Sequence, residues 1–283
     1  MPADEVLKLR NVVVVGQGGI GKTTVADALL FAAGAVTRHG RVDDGSSVFD
    51  TEPEEIRRKS TVTAALHHAS WRKHELNVID APGYSAFLHD TRNCLRAATG
   101  AVLALGSTGG EIKVETEKVW AWCEELGLPR IAFVTRLDRE RASLAHALED
   151  LKALGARPAV LQVPIGREAA LRGVVDVLAG RAFVYQGDSG TVQEGPVPPE
   201  LADEVAAARE QLVETVAEAN DALLEKYLEG AELSLDELRA ALRDGTRAGK
   251  FLPVLCGSGA KAIGLHPLLD AIVDLLPSPA DLP

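Results

Sequence analysis

The stretch Gly16-Gln17-Gly18-Gly19-Ile20-Gly21-Lys22-Thr23 constrains this chain more than any other, because it fits the pattern G-x-x-x-x-G-K-[ST]. Four valines, Val12 to Val15, precede it and read as a buried strand. Lys22 to Ala33 follow with helical spacing and stop at Gly34. The pattern alone is short enough to arise by chance. A strand that runs through it into a helix is the context that gives it meaning. Glycines let backbone N–H groups converge on phosphate oxygens, and the helix N-terminus adds partial positive charge. On this reading Gly16, Gly18, Gly19, Ile20, Gly21, Lys22, Thr23 and Thr24 make a phosphate cradle. Lys22 would reach the outer phosphates, and the Thr23 hydroxyl would ligate Mg²⁺.

The rest of the chain continues the alternation. Thr61–Trp71 and Leu76–Asp80 read as strands joined at Arg72-Lys73-His74. Helix 89–99, strand Ala101–Leu105, helix 114–126, strand Ile131–Thr135 and helix 142–154 follow, and strand Val254–Cys256 and helix 266–276 close the series. Near-continuous apolar strands between helices predict an α/β fold, the three-layer α/β/α P-loop NTPase class with a mostly parallel sheet. Two stretches interrupt it. Residues 35–60 are polar and non-periodic, which suits a functional loop. Residues 158–252 read as an inserted α+β subdomain, dividing the chain into 1–157, 158–252 and 253–283. The insert contains the turn-rich run 187–200. One long helix is expected through Val205, Leu212, Val216, Ala219, Leu223 and Tyr227. A capping box, Ser234-Leu-Asp-Glu237, opens the next.

Composition excludes several classes. Hydrophobic residues are 46% of 283, too many for a disordered chain. Thirty Lys+Arg against 41 Asp+Glu give −11, which argues against attachment to nucleic acid through bulk charge. Cys94, Cys123 and Cys256 are odd in number, widely spaced and lack a C-x-x-C pair, which fits a reducing compartment and no structural zinc. No apolar run approaches the ~20 residues of a membrane helix, and the acidic N-terminus does not resemble a signal peptide. The expectation is a cytoplasmic monomer without membrane contact. His67 and His68 alternate across a strand and cannot share a ligand. Trp120 is expected in the core with Cys123 and Leu126.

Three further segments carry chemistry. Asp80-Ala-Pro-Gly83 ends a strand, where the carboxylate can hold Mg²⁺ through water and the Gly83 N–H can meet a γ-phosphate. Thr135-Arg136-Leu137-Asp138 also follows a strand. A carboxylate there accepts paired hydrogen bonds from guanine N1 and N2, a donor pair that adenine lacks, so Asp138 selects GTP over ATP. Arg136 can stack on base and sugar. Thr135 stands where Asn is usual in the pattern N-K-x-D, so the usual tie to the cradle is lost. Ser258 and Gly259, after the last strand, offer backbone N–H groups to the guanine O6.

In this order the segments resemble the N-terminal GTP-binding domain of bacterial elongation factor G, a translational GTPase, from Arg10 to Pro283. GVVDV at 173–177, EANDALLEKYLEG at 218–230 and the run 251–283 carry the resemblance through the insert. It implies GTP/GDP and Mg²⁺ as ligands, and the ribosome as partner through its stalk protein and large-subunit RNA. Thr61 matches the threonine that closes over Mg²⁺ and the γ-phosphate, with Lys59 in place of a glycine and Ser60 in place of an isoleucine. Arg57 to Lys59 is either an RNA contact or a solvated basic run. Tyr84 replaces the histidine that orients the attacking water, and Gly19 replaces an aspartate. The expectation is a divergent paralogue whose catalytic set is Lys22, Thr61, Gly83 and Tyr84. Its hydrolysis would be slow or partner-dependent. The alternative is a GTP-binding regulatory or scaffold module with little hydrolysis. His89 is a weak stand-in for the missing histidine. The family continues beyond the equivalent of Pro283, so the chain is expected to be a fragment of a longer protein.

Overall fold

The computed structural model describes residues 3–110, 112–187, 190–231 and 233–282. A short N-terminal helix, α1 (Ala3–Val6), leads into β1 (Leu9–Val15) and α2 (Lys22–Ala32). After α3 (Pro53–Arg58) come the hairpin β2 (Ala65–Trp71) and β3 (His74–Asp80), then α4 (Leu88–Ala97), β4 (Gly100–Leu105), α5 (Val114–Glu125), β5 (Arg130–Val134), α6 (Leu144–Ala153) and β6 (Pro158–Val160). Later in the chain, β11 (Leu252–Cys256) and α10 (Leu265–Leu275) complete the larger sheet and its cover. The strand order is β2-β3-β1-β4-β5-β11-β6, parallel except for β2. This is the expected α/β class.

Alternate residues of each strand serve opposite layers, as the period-2 backbone requires. Val12, Val14, Val102, Ala104, Ile131 and Phe133 pack against α2 and α10 through Val25, Leu29, Leu268 and Ile272. Val13, Val15, Ala101, Leu103, Ala132 and Val134 face α4, α5 and α6 through Leu95, Val119, Cys123 and Leu151. The β2–β3 hairpin turns through Arg72 and Lys73, both at positive φ (47° and 64°). It is pinned to α10 where Trp71 Nε1 donates to Asp270 Oδ1 (2.9 Å) and Arg72 pairs with Asp274 (2.9 Å).

The second sheet is antiparallel, in the order β10 (Thr191–Pro196), β9 (Arg181–Gln186), β8 (Gly173–Asp176), β7 (Gln162–Ile165). Helices α7 (Ala202–Ala217), α8 (Asp221–Leu228) and α9 (Leu235–Arg247) accompany it. The expected insert, 158–252, does not stand wholly apart from the larger sheet: it opens with β6, which pairs in parallel with β11. The two sheets meet almost without a linker. Leu161 N–H donates to Val254 O (2.9 Å), and the Gln162 side chain accepts from Cys256 N–H (2.9 Å). Asp188 and Ser189 of the turn-rich run lie outside the described residues.

Other boundaries differ for physical reasons. The single long helix is two, because Asn220 takes an extended conformation and caps α8, its side chain accepting from Leu223 N–H (3.2 Å). The Ser234–Glu237 capping box opens α9 as expected. Thr61 to Ala64 leave the strand, since the Glu55 carboxylate accepts from Val62 N–H (2.9 Å) and Thr63 N–H (3.1 Å), and Asp90 accepts from Ala64 N–H (2.8 Å). Helix α5 buries Thr116, Val119 and Cys123, so Leu126 is exposed and Trp120 lies half-buried beneath the Arg130 guanidinium (3.9 Å). All three cysteines are buried and unpaired. His67 and His68 do face apart. His67 Nε2 meets Val48 O at 2.9 Å and its ring stands edge-on to Phe49, a packing role. Among the described residues no helix is long and apolar enough to cross a membrane.

The break at Asn220 makes a direct prediction. Asn220→Ala should cost about 1 kcal/mol in denaturant unfolding while Asn220→Asp costs little. Equal stability of all three proteins would show that the cap contributes nothing.

Candidate nucleotide-binding site

The parallel strands β1, β3, β5 and β11 end on one edge of the sheet, and the loops after them converge there, where open α/β sheets bind ligands. They enclose a cavity of about 380 Å³. Of the sequence-predicted residues, Gly18, Gly19, Gly21, Lys22, Thr23, Thr24, Thr61, Tyr84, Thr135, Arg136, Asp138 and Ser258 line it. Gly16, Ile20, Asp80, Gly83 and Gly259 are brought to the same place but lie buried behind the lining. His89 is exposed on α4, away from it.

The cradle bends at Gly21 (φ 101°), a left-handed conformation that favours glycine, and α2 starts without any side chain capping its first turn. Uncapped N–H groups and the helix dipole therefore face the cavity. The Lys22 ammonium lies inside and donates to Gln17 O (3.1 Å). Gly83 presses on it from the β3 side: a Cβ at Gly83 would stand 2.2 Å from Lys22 Nζ and 2.6 Å from Gly16 O. The Asp80-Ala-Pro-Gly turn is thus fitted against the cradle with no room for a side chain.

The three residues expected to serve a metal meet. Asp80 Oδ2 accepts from Thr23 Oγ1 (2.7 Å) and from Thr61 Oγ1 (3.1 Å), and the two hydroxyls are 3.0 Å apart. Asp80 Oδ1 is buried with no hydrogen-bond partner. Two hydroxyls and one carboxylate beside a phosphate cradle suit Mg²⁺, which takes few protein oxygens and fills its octahedron with phosphate and water. Among the described residues no group of three or more His, Cys, Asp or Glu could hold a metal by itself.

Sequence reasoning missed the acidic residues behind this triad. Both Asp50 carboxylate oxygens and Asp27 Oδ2 are buried without partners. Asp27 Oδ1 accepts from Val48 N–H (3.2 Å) and so anchors the 35–60 loop on α2. Glu55 is fully buried and caps α3 while holding residues 62 and 63. Asp50 and Glu55 belong to a polar loop with many acidic residues and Asp27 to α2, and no local pattern marks which of them are buried. Lys59 ends α3 at φ 53°, a conformation in which glycine is at ease. The basic run is exposed, and Arg57 and Arg58 both pair with Glu54.

At the other end of the cavity three loops interlock. The Arg136 guanidinium donates to Gly19 O, so the tie to the cradle expected to be lost is made one residue later. Thr135 Oγ1 accepts from Gly259 N–H (3.4 Å), Leu137 N–H donates to Gly257 O (3.2 Å), and Ser258 Oγ accepts from Lys261 N–H (3.2 Å). Asp138 is half-buried at the cavity wall.

Burial governs the charges. It pushes the Lys22 ammonium down to about 8; nearby Asp80 opposes this and Arg136 adds to it. Burial pushes Asp80 up to about 6, against Lys22 and the two hydroxyls. Asp50 is also raised to about 6, by burial first and then by Asp80, Glu55 and Asp27. Folded Asp80 therefore holds its proton more tightly than unfolded Asp80. Its contribution to stability is complete below its ordinary value of 3.8 and is lost as pH rises through about 6. In nucleotide-free protein without Mg²⁺, Asp80→Asn should gain on wild type by roughly 2–3 kcal/mol between pH 4 and 7. Parallel stability–pH curves for the two proteins would contradict this.

Residues 7–278 match the family described as the elongation factor Tu GTP binding domain. A crystal structure of a protein from Thermus thermophilus superposes with a TM-score of 0.89 at 36% sequence identity, covering 97% of this chain. The chain spans 41% of the length of that protein. Membership implies a guanine nucleotide, typically with Mg²⁺. The fold, the converging loops and the matched residues lead to one assignment: this chain belongs to the elongation factor Tu GTP-binding domain family of the translational GTPases.

Proposed function

We propose that this chain is the nucleotide switch of an elongation factor G-like translational GTPase, hydrolysing GTP slowly or only when a partner completes the site. The observation that carries the reading is the meeting of Thr23, Thr61 and Asp80 within 2.7–3.1 Å of one another. It joins the cradle, the 35–61 loop and the β3 turn, the three parts that must sense a terminal phosphate.

Each residue then has a task. Lys22 and the N–H groups of residues 18–24 neutralise the phosphates. Thr23 and Thr61 ligate Mg²⁺ and Asp80 holds it, directly or through water; the ion, when bound, spreads the charge that develops on the phosphates. The Gly83 N–H meets the terminal phosphate. Tyr84 donates a hydrogen bond near the attacking water, but a phenol cannot take up its proton as an imidazole does, hence slow hydrolysis. Asp138 reads guanine, Arg136 ties the base loop to the cradle and Thr135 ties it to Gly259; the Ser258 and Gly259 N–H groups are engaged with Ile263 O and Thr135 Oγ1, so these residues shape the base end of the cavity. The second sheet with α7 to α9 acts as the inserted subdomain that engages the ribosomal stalk. With Arg57 and Arg58 paired to Glu54, contact with ribosomal RNA falls mainly to Lys59. The protein would act in the cytoplasm as a monomer.

Competition titration tests the base assignment. GTP and GDP should displace a fluorescent GDP while ATP does not, and Asp138→Asn should reduce the guanine preference roughly tenfold to a hundredfold. ATP binding as tight as GTP, or unchanged preference in Asp138→Asn, would refute it.

A further inference from the structure

Two departures from the family pattern, Gly19 and Tyr84, are far apart in sequence and adjacent in space. The β3 turn carries Tyr84 directly after Gly83, whose backbone is fixed against the cradle. Tyr84 adopts an ordinary extended conformation (φ −90°, ψ 142°), and its carbonyl accepts from Phe87 N–H (2.9 Å). Its ring then lies over Gly18. A Cβ built on Gly18 would stand 2.6 Å from Tyr84 Cε1 and 2.7 Å from Cδ1 and Cζ, well inside carbon–carbon contact, and these ring atoms are its three nearest neighbours. A Cβ on Gly19 would have one heavy atom within 4 Å, the Tyr84 hydroxyl at 3.6 Å. Any side chain at position 18 would therefore have to displace the ring, and nothing else presses as closely there.

We infer that Gly18 and Gly19 are the seat of Tyr84, and that the seated ring roofs the phosphate end of the cavity. Gly18 is then a positioning residue, acting through Tyr84 on how long nucleotide is held and how water reaches it. This rests on the proposed function. The ring's inner face lies on the glycines, while the residue as a whole is 46% exposed, so the ring's outer face is open to a partner that could lift it. The bare glycines and the tyrosine form a single device: a phenol in place of an imidazole needs more room, and Gly18 and Gly19 leave that room.

The test is a double-mutant cycle on the release rate of fluorescent GDP, using Gly18→Ala, Tyr84→Ala and the double variant, with Tyr84→Phe as the conservative control. Gly18→Ala should speed release roughly threefold to tenfold more when Tyr84 is present than in the Tyr84→Ala background, where only its direct effect on the cradle remains. Tyr84→Phe keeps the ring and should release GDP at the wild-type rate while hydrolysing GTP more slowly. Equal acceleration by Gly18→Ala in both backgrounds, or loss of binding in both, would overturn the seat, because the methyl would then act on the cradle itself. Nuclear magnetic resonance gives a readout independent of nucleotide: the ring should displace the Gly18 Hα resonances upfield, and Tyr84→Ala should abolish that displacement. Failure of wild type to bind GTP or GDP would refute the proposed function, whereas an unshifted Gly18 Hα would refute the seat alone.

Discussion

One carboxylate organises the site. Asp80 stands at the end of β3, is fully buried, and is shared by the hydroxyls of Thr23 and Thr61. A buried carboxylate is costly unless hydrogen bonds and opposite charge surround it. Here it has two hydroxyl donors, the Lys22 ammonium nearby, and one oxygen left without a partner. The protein holds this group in place through the parallel register of β3 on β1, where Asp80 pairs with Val14. The same register sets the cradle beside it, two residues past Val14. The geometry of the phosphate end thus follows from a strand alignment buried in the core.

That dependence explains which parts of the molecule are legible in the residues alone. The strand–cradle–helix unit is legible because glycine spacing, valine run and helical period agree over one short segment. Asp80 and Asp138 are legible because each follows an apolar strand. The capping box at Ser234 is legible because it is local. The break at Asn220 is not, because apolar spacing continues across it while a single extended residue interrupts the backbone. The edge position of β6 escapes as well: three residues carry too little pattern to show which sheet they join.

Long-range polar contacts are the least legible part of the site. Glu55 lies in a charged hexapeptide, and nothing in that run says it will be buried and will draw residues 62 and 63 off the sheet. These contacts flank Thr61, whose hydroxyl meets Asp80. Arg136 likewise reads as a stacking residue, yet its guanidinium reaches Gly19 O and replaces a tie the Asn would have made. Gly19 and Tyr84 each read as an isolated departure; the ring over Gly18 and the hydroxyl beside Gly19 make them one feature. A buried polar group finds its partner through the fold, so its meaning appears only when the fold is known.

If Asp80, Thr23 and Thr61 form a Mg²⁺-dependent guanine nucleotide site, ligand should stabilise the fold by relieving the uncompensated oxygen. The direct measurement is thermal unfolding with GDP and Mg²⁺, GDP and EDTA, and ADP and Mg²⁺. At about a hundred times its Kd, GDP with Mg²⁺ should raise Tm by roughly 5 °C or more. GDP with EDTA should do markedly less, and ADP nothing. Equal shifts with GDP and ADP, or a GDP shift indifferent to Mg²⁺, would contradict the account.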